Sequence, residues 1–416
     1  MTKAPQLKDD CFALPAGVNW TPVDDALAHL RAAVDLVVGV ETVKTIAAGG
    51  RVLAHDAIAT RSNPPYANAA VDGYGFAHLS YQDALPLVDG RSAAGAPFAG
   101  AVPAGFAIRI LTGAKLPVGV DTVVMQEDVA LKDGMVYFQH GLKAGANCRK
   151  AGEDVLKGQP AVKAGKKIAA AEIALMAALN IPEIEVYKKL RVGVLSTGEE
   201  IRQLGETAEP HQIYDANRPM LLELLKNWGF EPVDLGHAVD DHAAVISALD
   251  GAAKRCDAIL TSGGASAGDE DHLSAVLAES GNLNLWRIAL KPGRPLALGI
   301  WNGVPVFGLP GNPVAAFVTT LVFARPTLLK MQGAGWQIPN PILLPAAFEQ
   351  TKKPGRREYL RARVTEKGAV EKFISEGSGR ISSLSWADGL VELPDKAMQV
   401  KKGDMVRYFP FSGYGI

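Results

Sequence analysis

Apolar and polar positions follow different rhythms along the chain, and the changes of rhythm divide it. Residues 21–34 place Ala26, Leu27, Leu30 and Val34 at helical spacing. Thr21-Pro22 followed by Asp24-Asp25 predicts the helix start, with a capping hydroxyl, a proline in the first position and acids in the first turn. A mixed segment, 41–59, leads to Arg61-Ser62-Asn63-Pro64-Pro65. From there to about residue 149 the apolar runs are short (106–111, 122–125 and 136–138) and glycine or proline recurs between them, which predicts an all-β module. Residues 169–179, A-A-A-E-I-A-L-M-A-A-L, return to helical spacing and end at Asn180 with Pro182 beyond. Their composition matches the first helical region, so the β module reads as an insertion into a helical domain.

From Leu190 the rhythm alternates. Short apolar runs at 191–195, 232–236 and 257–261 predict strands, while 219–228, 242–253 (capped by Asp240 or Asp241) and 314–329 predict helices. Strands alternating with helices of this length give a doubly wound, mostly parallel α/β sheet. After residue 335 the alternation stops. Runs at 359–364, 373–374, 390–393 and 405–410 predict a small C-terminal β-barrel or sandwich. The expected domains are residues 1–60 with 150–189 (helical), 61–149 (inserted β), 190–331 (α/β) and 332–416 (β). An α/β multidomain protein follows.

Composition narrows the partners. A formal charge of -1 offers no basic excess for nucleic acid or a membrane surface. Cys11, Cys148 and Cys256 form no C-x-x-C, and no two histidines form H-x-x-x-H, so thiolate zinc sites and disulfide frameworks are not indicated. The first ten residues lack the apolar core of a signal peptide, and the apolar run 314–324 is too short to cross a bilayer, so a cytoplasmic location is expected.

The densest chemistry lies in residues 257–313. A strand pattern runs into T-S-G-G-A-S-A-G-D-E-D-H, which holds Ser262, Gly263, Gly264, Ser266 and the acids Asp269, Glu270 and Asp271. Lys291–Pro295 and the G-L-P-G-N-P turn at 308–313 follow further apolar runs. If those runs are parallel neighbours, all three turns share one carboxyl edge, where open α/β sheets bind ligands. Glycine-rich turns ahead of helices offer backbone N–H groups to an anion. Glu199, Glu200, Asp240 and Asp241 add acids at other strand ends, and Arg287, Lys291 and Arg294 add cations. Hard oxygen donors beside N–H groups suit a phosphate with a divalent cation. No P-loop or G-x-G-x-x-G is present, so neither a nucleotide P-loop nor a dinucleotide site is expected. Taken locally, Asp72-Gly73 reads as a hairpin turn. These residues alone predict binding of a phosphorylated small molecule, without fixing the reaction.

The motifs V-D-G-Y, R-I-L-T-G-A, G-E-D-V, S-T-G-E-E, I-Y-D-A-N, T-S-G-G-A-S-A-G-D-E-D, K-P-G-R-P and G-L-P-G-N-P, in this order, resemble the molybdopterin molybdenumtransferases, a family that includes the C-terminal domain of gephyrin. The resemblance covers nearly the whole chain. It implies hydrolysis of an adenylylated molybdopterin with release of AMP as molybdate is inserted into the dithiolene, assisted by Mg²⁺. It implies catalytic roles for Asp72, Asp154, Glu200, Asp240, Asp271 and Lys291, with Glu200, Asp240 and Asp271 on the metal. Thr112, Arg287, Arg294, Arg361 and Ser378 would bind substrate beside Ser262, Gly263, Gly264 and Ser266, and Pro310 and Pro313 would shape the neighbouring loop. It further implies a homodimer whose site is shared between subunits, supplied by an upstream molybdopterin adenylyltransferase.

Two positions depart from the family pattern. Arg294 stands where the family usually has a second lysine, which keeps the charge and changes the donor geometry. Ala315 stands where a serine often follows G-N-P-V. A paralogue that prefers another oxyanion such as tungstate, a nucleotide pyrophosphatase, and a non-catalytic molybdopterin-binding scaffold are the alternatives.

Overall fold

The computed structural model describes residues 20–139, 141–239, 241–263, 272–279, 283–293 and 295–416. The chain divides into two units: Glu41–Val186, and Tyr187–Ile416 together with the N-terminal segment up to Val40.

The first unit holds the inserted β module. Its six-stranded sheet runs Thr122–Met125, Gly73–Phe76, Ala107–Ile110, Ala84–Ser92, Met135–Phe138, Val129–Lys132. Phe76 and Phe138 pack at 5.0 Å between ring centroids, and Tyr81 stacks on Phe76 at 5.6 Å. Helix Ala170–Ala178 lies in the same unit, its first turn closed by Glu172, which accepts from Ala169 N at 2.9 Å. Helix Val23–Ala33 belongs to the other unit, where Lys330 Nζ donates to Arg31 O at 2.6 Å and Val37 N to Met331 O at 3.0 Å. The two helices of similar composition therefore fall in different units. Thr21 is not the cap of that helix either: it forms a strand-like bridge to Ile288, and the helix begins after Pro22 without a side-chain cap.

The second unit is built on an α/β sheet, numbered here in chain order as β1 (Arg191–Thr197), β2 (Glu231–Ala238), β3 (Ala258–Ser262), β4 (Leu283–Arg287), β5 (Pro295–Trp301) and β6 (Val304–Leu309). Its order is β2-β1-β3-β6-β5-β4. The strands from β2 to β6 in that order are parallel, β5 is antiparallel to β6, and β4 is antiparallel to β5. Helices α1 (Asn217–Trp228), α2 (His242–Ala253) and α3 (His272–Glu279) cover the sheet. Asp241, not Asp240, caps α2, accepting from Ala244 N at 3.0 Å. Val245, Leu249, Ile259, Leu273, Leu277 and Val306 interlock in a shared core, each contributing roughly 1.5–3 kcal/mol by burial.

Helix α4 (Pro313–Met331) is the described helix long and apolar enough to cross a membrane, and almost all of it is buried in the protein, as a core helix is. Pro326 does not end it. The turn before that proline, Thr320–Ala324, widens to π geometry and accommodates the missing amide.

The C-terminal sheet joins Leu290–Lys291, Arg357–Val364, Gly389–Leu393, Met405–Pro410 and Ile342–Pro345 in that order, with Val370–Lys372 on the flank of Arg357–Val364. The apolar pair 373–374 thus lies beyond its strand. A buried staple ties this region back to the α/β layer. Arg325, 8% exposed, lies 5.9 Å from the Trp228 ring and 5.7 Å from the Tyr414 ring. Arg325 Nε and Trp228 Nε1 both donate to Tyr414 O, at 2.9 and 2.8 Å.

Candidate functional site

Strand registers decide where the turns lie. Thr197 of β1 pairs with Ala238 of β2, Ser196 with Ser262 of β3, and Ser262 with Leu309 of β6. Arg287 of β4 pairs with Pro295, the start of antiparallel β5. The carboxyl ends of β1, β2, β3, β6 and β4 therefore share one edge, although β4 and β6 are not neighbours. The strand ends that precede the three turns thus lie at one edge, with β5 running back between two of them, while residues 264–271 and 294 of those turns lie outside the described residues. Between β1 and β3 the chain order reverses, which opens a crevice at the carboxyl ends.

The turns at this crevice touch. Gly263 has φ 97, and a Cβ there would stand 2.8 Å from Thr197 O, so only glycine lets the β3 turn approach the end of β1. Its N–H donates to Leu309 O at 3.3 Å. Asn217, buried at the start of α1, donates from Nδ2 to Ser262 Oγ at 2.8 Å and to Gly311 O at 2.6 Å. It thereby joins the I-Y-D-A-N, T-S-G-G and G-L-P-G-N-P motifs. Asp215 orients α1 from below: Ser196 Oγ donates to it at 2.7 Å and Arg218 N at 3.0 Å. Pro310 is buried and Pro313 opens α4, whose Val314 N donates to Ser378 O at 3.1 Å.

An open cleft of about 570 Å³ lies beside the β1 and β2 ends, lined by Glu199, Glu200, Arg202, His211 and His237 among others. His237 Nε2 meets Gly198 O at 2.7 Å and holds the S-T-G-E-E turn. The Glu200 carboxylate folds back over Gly198, where an added Cβ would lie 2.6 Å from its Oε2. Glu200 is thus an exposed oxygen donor of the kind Mg²⁺ takes. Among the described residues no group of three acids, histidines or cysteines assembles around one point.

Lys291 follows β4. Its ammonium, 16% exposed, is ion-paired with Glu376 and lies 3.6 Å from Glu358. Gln350 Nε2 donates to the other Glu376 oxygen at 2.9 Å, and Lys372 lies 3.8 Å from it. Burial raises the Glu376 pKa, but the Lys291 hydrogen bond and charge outweigh it and leave the carboxyl below its usual range. Arg361 supports the loop from behind. It is 2% exposed and donates to Ser375 O at 2.5 Å, Gly377 O at 3.2 Å and Ser383 Oγ at 3.0 Å. Burial lowers its pKa. Its guanidinium therefore shapes the loop that carries Glu376 and Ser378. Ala315 is 2% exposed and packs beneath the Lys291 turn, 3.7 Å from where a Cβ on Gly293 would lie.

In the β module, Asp72 is not a hairpin residue. It precedes strand Gly73–Phe76, which pairs with Ala107–Ile110 and Thr122–Met125. Thr112 donates to Asp72 Oδ1 from its N–H at 2.6 Å and its hydroxyl at 2.7 Å. The Thr112 hydroxyl and then its N–H hold the Asp72 carboxyl below its usual range. Gly73 is required by packing, since a Cβ there would stand 1.9 Å from Val124 O. Asp154 accepts from Asn63 Nδ2 at 2.8 Å, linking G-E-D-V to the Asn63-Pro64 turn. Asp240, Gly264, Ser266, Asp269, Glu270, Asp271 and Arg294 lie outside the described residues, as does the side chain of Arg287. Glu376, Gln350 and His237 were not anticipated. Glu376 sits two residues from Ser378, the one local hint available.

Comparison with known proteins agrees along the chain. Residues 21–180 match the MoeA N-terminal region (domain I and II), 193–330 a probable molybdopterin binding domain, and 344–411 the MoeA C-terminal region (domain IV). A molybdopterin molybdenumtransferase of Haemophilus influenzae is 37% identical over 372 residues, covering 88% of this chain and 92% of that protein. One from Nostoc sp. is 31% identical over 376 residues, covering 85% of each. The crystal structure of the molybdopterin biosynthesis moeA protein from Pyrococcus horikoshii OT3 superposes with a TM-score of 0.81 at 28% identity, over 94% of this chain and 99% of that one. The chain belongs to the molybdopterin molybdenumtransferases, enzymes of molybdenum cofactor biosynthesis.

Proposed function

We propose that this protein inserts molybdenum from molybdate into adenylylated molybdopterin. Water cleaves the phosphoanhydride, AMP leaves, and the dithiolene takes up the metal. The observation that supports this reading is the shared carboxyl edge of β1, β3, β4 and β6, with Ser262 and Asn217 at the β1–β3 crevice and Lys291 following β4. Backbone N–H groups and the lysine suit a pyrophosphate and an oxyanion. Glu200, with Asp240 and Asp271, would hold Mg²⁺. When bound, that ion supplies charge neutralisation at the anhydride. Arg361 fixes the loop beneath Lys291, and Ser378 meets the first turn of α4. Arg287 and Arg294 would add positive charge for the anionic substrate.

Asp72, Thr112 and Asp154 belong to the other unit. In this reading the protein is a homodimer, and the Asp72–Thr112 turn of one copy completes the sheet-edge crevice of its partner. A molybdopterin adenylyltransferase supplies the substrate. Ala315 lies beneath the Lys291 turn, and a paralogue that prefers another oxyanion such as tungstate is the second reading.

The deciding assay incubates the protein with adenylylated molybdopterin and Mg²⁺, with and without molybdate, and follows AMP and active cofactor. Molybdate-dependent AMP release with active cofactor is expected. AMP release indifferent to molybdate or tungstate indicates a pyrophosphatase, and no release indicates a scaffold. For the shared site, Asp72→Asn and Asp271→Asn homodimers are each expected to be inactive, and subunit exchange between them to restore partial activity. No restoration would refute the shared arrangement.

A further inference from the structure

We propose that Glu376 is a built-in competitor for the oxyanion: its carboxylate holds the face of the Lys291 ammonium that an incoming dianion needs, and it must swing aside for binding. This inference rests on Lys291 being an anion-binding group. Three observations carry it. Lys291 is already balanced by two carboxylates, Glu376 in direct contact and Glu358 at 3.6 Å, so a dianion reaching the ammonium meets repulsion as well as attraction. The two acids are not equivalent. Glu358 is 7% exposed on strand Arg357–Val364 and is fixed there, whereas Glu376 sits in a loop. That loop is held through its backbone carbonyls by Arg361, at 2.5 Å from Ser375 O and 3.2 Å from Gly377 O, so the carboxylate can move while the loop stays.

A resting place for the displaced carboxylate is also present. Gln350 Nε2 already donates to Glu376 Oε1 at 2.9 Å, and Lys372 Nζ is 3.8 Å from the same oxygen. Rotation away from Lys291 exchanges one cation for another and keeps the amide contact. Glu376 would thereby set the threshold of oxyanion affinity, favouring a dianion over singly charged competitors that cannot displace it.

The test is calorimetric titration of the full-length protein with sodium molybdate. Glu376→Gln keeps the shape and the Gln350 contact while removing the charge, and is expected to bind molybdate roughly tenfold more tightly than the natural protein. Lys291→Met should weaken binding, and the gain from Glu376→Gln should vanish in the Lys291→Met background, which a merely structural role for Glu376 would not produce. Weaker or unchanged binding by Glu376→Gln, with Lys291→Met impaired, overturns the competitor role alone. Unimpaired binding by Lys291→Met, or no binding by either the natural protein or Glu376→Gln, overturns the Lys291 assignment and this inference with it.

Discussion

The acid of the β module and the lysine of the sheet edge are held by opposite means. Asp72 is half-buried and takes both its bonds from one residue, Thr112, within its own small sheet. Lys291 is nearly buried and is balanced by acids from separate stretches of the C-terminal region, themselves positioned by Gln350 and Arg361. The first arrangement favours the ionised form of a carboxyl by contacts made within one small sheet. The second keeps a charge partly neutralised until something better arrives. A locally wired group is insulated from changes in the rest of the chain, whereas a group wired across domains responds to them.

The contrast can be broken most severely at Gly73. Gly73→Ala drives a Cβ into Val124 O and is expected to destabilise the β module by about 3 kcal/mol. Thermal unfolding should show that loss, while molybdate titration of the folded fraction still reports an intact Lys291 region. Asp72→Asn is the converse. It should lower AMP release by about a hundredfold yet leave the melting temperature within about 1 °C, because Asn keeps the side chain's shape and an oxygen that accepts from Thr112.

Arg361→Ala strips a partner from buried Ser383 and frees the carbonyls of Ser375 and Gly377, and is expected to cost about 2 kcal/mol. Urea unfolding measures it, and an activity loss that exceeds the stability loss would show how far Lys291 depends on the loop. The mildest change is Thr112→Val. The Asp72 carboxyl is held below its usual range by Thr112, so its contribution to stability is present above the ordinary carboxyl pKa of about 4 and is lost as the pH falls through the folded value. Carboxyl NMR titration should find the Asp72 midpoint moved up toward the ordinary value in Thr112→Val, with the Glu376 midpoint unmoved.

Much of the architecture is written in local pattern. Strands β1 to β3 and helix α2 fall within a few residues of their apolar runs, because alternation, capping acids and glycine act at short range. The common carboxyl edge was also readable, since each turn follows its own strand. What short-range signals do not carry is direction and reach. The reversed course of β5 is set by its neighbours on both sides. The helix over 314–329 was legible, but the π turn by which α4 passes Pro326 was not. Gly73 resembled a turn glycine because the close approach of Val124 O is invisible along the chain. The Lys291–Glu376 pair spans 85 positions and has no spacing to betray it. At Asp72 the acid was named through resemblance, and its dependence on Thr112 emerged from geometry.

Arg325 and Trp228 meet the carbonyl of Tyr414 in the interior of the second unit. Those two side chains are synthesised long before their acceptor. On the ribosome the α/β layer therefore carries an uncovered guanidinium and indole until the final strand and tail emerge. Its packing is completed only after translation has passed residue 414.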